Sequence, residues 1–225
     1  MKENTLKIIT SFILVFIAGF ADTATFTAGG EIFSAHVTGN FVVFGYKLAT
    51  EPGWRDYTSL LTFPVFILAV YCTGILNNKI KSERILYLIM GSILCFAALL
   101  SYAHHEKWIV AEYMIFGIVM LIVFAMGIQN AVNKIYSKST FGPTTVMTGN
   151  VTNATLNFCK AYTSKSKDDE KKEDFMQILI MMIGFLLGCF LGAKLAFHYG
   201  LMVLAIPGIL ALIYFGIFYK SRATA

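Results

Sequence analysis

Apolar residues fall into six long blocks, roughly 7–28, 58–78, 85–103, 108–133, 175–197 and 200–219, each separated from the next by turn or charge signals. A hydrocarbon core takes about 20 apolar residues to cross, so each block predicts one transmembrane helix. Two further segments, about 38–50 and 148–163, are too short and too polar to be ordinary spans. Each opens on the same tripeptide, Thr38-Gly39-Asn40 and Thr148-Gly149-Asn150, with the two copies 110 residues apart. Thr and Asn start helices well, because their side chains accept from the unpaired N–H groups of a first turn. Irregular backbone is excluded from lipid unless it is buried in protein or lines a polar cavity. Each copy therefore predicts an extended approach followed by a half-helix.

The pattern repeats around the tripeptides. Gly19-Phe20-Ala21-Asp22 precedes the first as Gly127-Ile128-Gln129-Asn130 precedes the second, and Phe66 to Gly74 resembles Gly184 to Gly192. The expected architecture is an all-α integral membrane protein with six transmembrane helices plus two half-helices. It is built from two inverted repeats, residues 1–104 and 105–225. Inversion follows from charge. With the N-terminus inside, only Lys47, Arg55, Lys107 and Lys194 of the 18 basic residues fall outside or near the outer end. That distribution suits the positive-inside bias better than parallel halves do, and it puts both termini on the cytoplasmic side.

Composition agrees. The chain is 57% hydrophobic and 14% charged, where soluble domains carry about a quarter charged residues. The net charge of +5 resides in short clusters between spans rather than on one face, which argues against nucleic acid. Cys72, Cys95, Cys159 and Cys189 show no metal or disulfide spacing. His104-His105-Glu106 reads as an outer loop, since adjacent histidines point in different directions. The lysine-rich run from Lys165 to Asp174 reads as a solvated loop. No metal and no cofactor are expected, and no nucleophile–base pairing suggests an enzyme.

Gly19-Phe20-x-Asp22 followed by Gly30-x-x-Phe33-x-Ala35-x-x-Thr38-Gly39-Asn40 resembles the signature of the YoaK-type membrane proteins, a large bacterial family of unknown function. The resemblance spans essentially the whole chain. It implies an inner-membrane protein of about six helices and no established activity.

Asp22 leads the candidate residues, because an ionised carboxylate within a span costs about 2.5–3.5 kcal/mol and usually marks an ion or proton path. Asp22 and His36 are separate candidates for proton coupling or charge tuning, a lone histidine being more often a packing residue, and Asn130 is the neutral repeat-mate of Asp22. The substrate-binding candidates are Thr38, Gly39, Asn40, Thr148, Gly149, Asn150, Asn130 and Asn153. Asn150, Asn153 and Asn157 share one face of the second half-helix, an amide wall for a solute or for neighbouring helices. The paired half-helix starts predict a central site for a small anionic or weakly acidic solute, and hence a transporter or channel-like carrier. The alternative is a membrane sensor or partner subunit that transports nothing. Gly184, Gly188 and Gly192 have small-residue spacing that suits an intrachain contact or a homodimer seam.

Overall fold

A computed structural model describes residues 2–50, 53–109, 113–145, 148–163 and 169–219. Among the described residues eight α-helices follow one another: α1 Lys2–Ala28, α2 Gly39–Thr50, α3 Thr62–Ile80, α4 Glu83–His105, α5 Met114–Ile135, α6 Thr148–Thr163, α7 Asp169–Tyr199 and α8 Ala205–Ile213. A 3₁₀ segment, Trp54–Leu61, leads into α3, and another, Gly200–Leu204, leads into α8. Among the described residues five helical stretches are long and apolar enough to cross a membrane: Asn4–Ala28, Tyr57–Ile80, Glu83–His105, Met114–Ile135 and Glu173–Phe218. Of the run from Lys165 to Asp174 expected as a loop, residues 165–168 lie outside the described residues, and Asp169–Asp174 instead form the opening turns of α7.

The last of these stretches takes in the two apolar blocks 175–197 and 200–219 as far as Phe218. Gly200 has φ +63°, a left-handed conformation that glycine adopts without strain, and it separates α7 from the 3₁₀ turn. Beyond it the chain doubles back. α7 climbs along α1 in the same direction, Gly184 lying against Phe12, Gly188 against Phe16 and Gly192 against Phe20. Tyr214 OH, past α8, has returned to Thr10 near the start of α1, 2.6 Å from its Oγ1. The glycine stripe on α7 is thus an intrachain seam, which absorbs one of its two expected uses. Missing side chains let the α1 and α7 backbones approach closely, the packing that serves helices lacking a hydrophobic drive in lipid.

The other contacts set directions. α3 lies beside α5 and runs parallel to it: Gly127 touches Phe66 and Ala69, and Tyr136 OH donates to Asn77 Oδ1 at 2.7 Å. α1 and α5 are antiparallel, with Gln129 reaching the Leu14 carbonyl near one end and Gly29 meeting Val119 near the other. α4 and α8 are antiparallel too. Gly91 and Gly208 cross closely, and Arg84 donates to the carbonyls of Phe215 and Gly216 in the π-helical turn Tyr214–Phe218. A π turn frees carbonyls from the regular ladder, and the guanidinium satisfies them.

Buried apolar residues of α1, α4, α5, α8 and the π-helical turn form one core that includes Leu14, Phe20, Tyr87, Met90, Ile122, Met126, Ala211 and Phe215. Outward faces stay apolar: Ile67, Leu68 and Tyr71 on α3, and Leu186, Phe190 and Phe197 on α7, are exposed. So much exposed apolar surface on long helices is what a lipid solvent requires. Trp108 stands exposed at the far end of α4 against Tyr102, as an interfacial anchor would.

Candidate functional site

α1 ends in a glycine-centred cap, with Glu31 N donating to Phe26 O at 3.1 Å. Gly30 and Glu31 both have positive φ, which reverses the chain so that residues 32–38 run back beside α1. Asp22, 3% exposed, receives that returning strand. Its Oδ1 accepts the backbone N–H of Ala35 at 2.7 Å and of His36 at 3.2 Å, and its Oδ2 lies 2.5 Å from His36 Nδ1. A buried carboxylate is thus compensated by two amides and an imidazole. The bond to Nδ1 leaves Nε2 as the ring's other exchangeable position. The imidazole is partly exposed, and its ring meets the rings of Phe33 and Phe185.

Asn40 fastens the same turn from the other side. Fully buried, it accepts from Phe33 N and donates to Phe33 O, both at 2.8 Å, and donates to Thr62 Oγ1 at 3.0 Å. Thr62, which the sequence reading did not single out, in turn donates to Ser59 O. The opening turn of α2 is closed by its own backbone: Gly39 N bonds His36 O, Asn40 N bonds Val37 O and Phe41 N bonds Thr38 O. The N–H groups expected to await an anion are therefore already engaged here. Thr38 is exposed beside them, and Lys47, further along α2, pairs with Glu31 at 3.0 Å.

A second cluster repeats the scheme on α5. Asn130 Nδ2 donates to Thr145 Oγ1 at 2.6 Å, as Asp22 holds Ala35 and His36. Asn150 Nδ2 donates to Pro143 O at 2.8 Å, the same seven-residue reach by which Asn40 holds Phe33. Pro143 has no N–H to return. Gln129 Nε2 donates to Leu14 O and Thr144 Oγ1, while its Oε1 is buried without a partner among the described residues. Asn133 donates to Thr140 Oγ1. Gly149 has open space where a Cβ would stand.

The two clusters do not meet. α2 packs on the 3₁₀ segment before α3, and α6 on α7. Gln129 marks the level of the second cluster by its bond to Leu14, and Asp22 marks the first. Eight helical residues at about 1.5 Å each place them about 12 Å apart along α1. The two clusters thus stand as stations at two levels along α1.

Beside the second station a cavity of about 400 Å³ opens between α1, α6, α7 and the Ser137–Gly142 turn. Lys7, Asn153, Asn157, Lys160, Asp174 and Gln177 provide most of its polar wall. Asn153 and Asn157 thus turn the amide stripe toward this cavity. No group of three or more His, Cys, Asp or Glu side chains suited to a metal occurs among the described residues. His104 Nδ1 instead contacts Ile109 O at 3.0 Å at the end of α4.

A family model described as "Protein of unknown function (DUF1275)" matches residues 10–217. The chain belongs to this family. That agrees with the resemblance carried by the Asp22 and Thr38-Gly39-Asn40 motif. No curated protein and no solved structure matches the chain.

Sequence reasoning missed one further polar cluster at the end shared by α3, α4 and α5. Glu83, 3% exposed, accepts from Ser139 Oγ at 2.8 Å and Tyr219 OH at 2.6 Å through Oε2. Its signal was present: an acidic residue opens a span directly before Arg84, where charge alone was read as topology.

Proposed function

We propose that this protein is a small-solute carrier of the bacterial inner membrane, with six crossings, two half-helices and inverted halves at 1–104 and 105–225. Antiparallel pairing of α1 with α5 and of α4 with α8, each pair being repeat-mates, supports inversion, since mates in parallel halves would run the same way. The exchange of partners supports it further: α1 packs on α7 of the other half, and α5 on α3. The matched seven-residue clamps of Asn40 and Asn150 support the duplication.

The observation that carries the carrier reading is the Asp22–His36 pair, held inside a helix break next to α7. An ionisable pair at membrane depth is costly, and proton or ion traffic is its common use. In this reading Asp22 and His36 exchange a proton as the solute moves, and Asn130, Asn150 and Asn153 face the solute. An anionic or weakly acidic solute suits the second station, where an amide replaces the carboxylate, and not the first, where a carboxylate already stands.

Purified protein in liposomes, given a pH gradient and a panel of labelled small carboxylates, tests the proposal. Uptake that follows the gradient and is uncoupled from it in Asp22→Asn is expected. Folded protein with no flux of any solute in the panel overturns it, and favours the non-transporting sensor or partner subunit.

A further inference from the structure

We infer that the cavity beside α6 is a binding site for a small carboxylate. The inference rests on the carrier reading only for the direction of traffic, because the site is argued from its own walls. Lys7 and Lys160 bring two positive charges and Asp174 one negative, a net positive lining. Lys7 is already drawn toward this wall, its Nζ 4.6 Å from the Phe141 ring centroid. Asn153 and Asn157, four residues apart on α6, present amides one above the other, which is the spacing of neighbours on a helix face. Gln177, 7% exposed, adds a buried amide from α7. Phe141, Leu156 and Ile178 supply apolar surface between these groups.

That combination suits a carboxylate head with a short, partly polar body. Ammonium groups bind the head by charge-assisted hydrogen bonds, and amides bind a hydroxyl or carbonyl on the body. The volume of about 400 Å³ lies within the range of small-molecule sites. Gly142 lines the cavity and also lies close to Asn150 Oδ1, so the cavity borders the second station.

Equilibrium binding of labelled lactate to the full chain, in nanodiscs of zwitterionic lipid, tests the inference, with glycerol as the uncharged control. Saturable lactate binding is expected, with glycerol at least about tenfold weaker, as loss of a charge-assisted contact implies. Lys160→Gln and Asn157→Leu, each of which leaves the Asp22–His36 pair untouched, are expected to weaken lactate binding by about tenfold. Absent lactate binding in the wild type overturns the site, and so does equal binding of glycerol or of both variants. Thermal unfolding without ligand shows that each variant is folded, and if one is not, the other decides. Lysine-dependent lactate binding without flux leaves the site standing and removes the carrier. Flux with no such binding does the reverse.

Discussion

His36 Nδ1 lies 2.5 Å from Asp22 Oδ2, joining residues that α1 and the returning strand bring together across 14 positions of chain. The same carboxylate accepts the N–H groups of Ala35 and His36, so one side chain closes the turn and holds the imidazole. Asp22→Ala leaves these donors without their acceptor, and loss of one partner of a buried charged pair costs about 3–5 kcal/mol. Asp22→Asn keeps an oxygen for the amides, and its penalty is about 1–3 kcal/mol. Thermal unfolding in detergent is expected to rank wild type above Asp22→Asn above Asp22→Ala. Equal stability of the two variants would show that the amide bonds contribute little.

The α1–α7 seam makes a sharper packing prediction. A Cβ at Gly188 would collide with Phe16 O, and one at Gly192 with Phe20 O, both backbone atoms that cannot rotate away. Gly188→Ala and Gly192→Ala are each expected to destabilise the fold by about 1–3 kcal/mol through overpacking. Gly74, the counterpart of Gly192 by sequence repeat, meets nothing within 4 Å. Gly74→Ala is expected to be neutral or slightly stabilising, because alanine favours helix. A melting series on the three variants checks the contrast.

Tyr136 reports on Glu83. Its backbone N–H caps α5 while its phenol donates to Asn77, and burial raises the phenol's pKa first, with the negative charge of Glu83 raising it further. Glu83→Gln removes the second cause and keeps the first. The Tyr136 titration is expected to move down while staying above the ordinary phenol value. Carbon-13 tyrosine resonances, assigned with Tyr136→Phe, measure the shift. No change in Glu83→Gln would rule out the charge effect.

Topology is open to direct labelling. Lys81 follows α3 and Lys138 follows α5, and the bonds from Tyr136 to Asn77 and from Ser139 to Glu83 hold these turns at one end. Lys107 lies beyond the far end of α4. Cysteine replacements at Lys81 and Lys138 are expected to react with an impermeant reagent from the cytoplasmic face, and one at Lys107 from the opposite face. Lys81 and Lys107 reacting from one face would break the fold.

Sequence by itself determined that the protein is built of membrane-crossing helices and where the two short helices lie. It did not determine the start of α5, expected at 108 and found at Met114, or of α7, expected at 175 and found at Asp169. The properties it did determine are local: about 20 apolar residues demand a crossing, and Thr-Gly-Asn starts α2 and α6 within a residue of the expected positions. It also marked Asp22, because a carboxylate within a span is conspicuous without any knowledge of its partner. What the tertiary structure alone decided was pairing. Asp22 with His36, Asn40 with Thr62, Glu83 with Tyr219, and the separation of the two Thr-Gly-Asn stations all depend on which helices lie side by side. Hydrophobic periodicity does not encode that choice in lipid, where every outward face is apolar. Glycine approach and polar bonding make it instead, and these act between residues far apart in the chain.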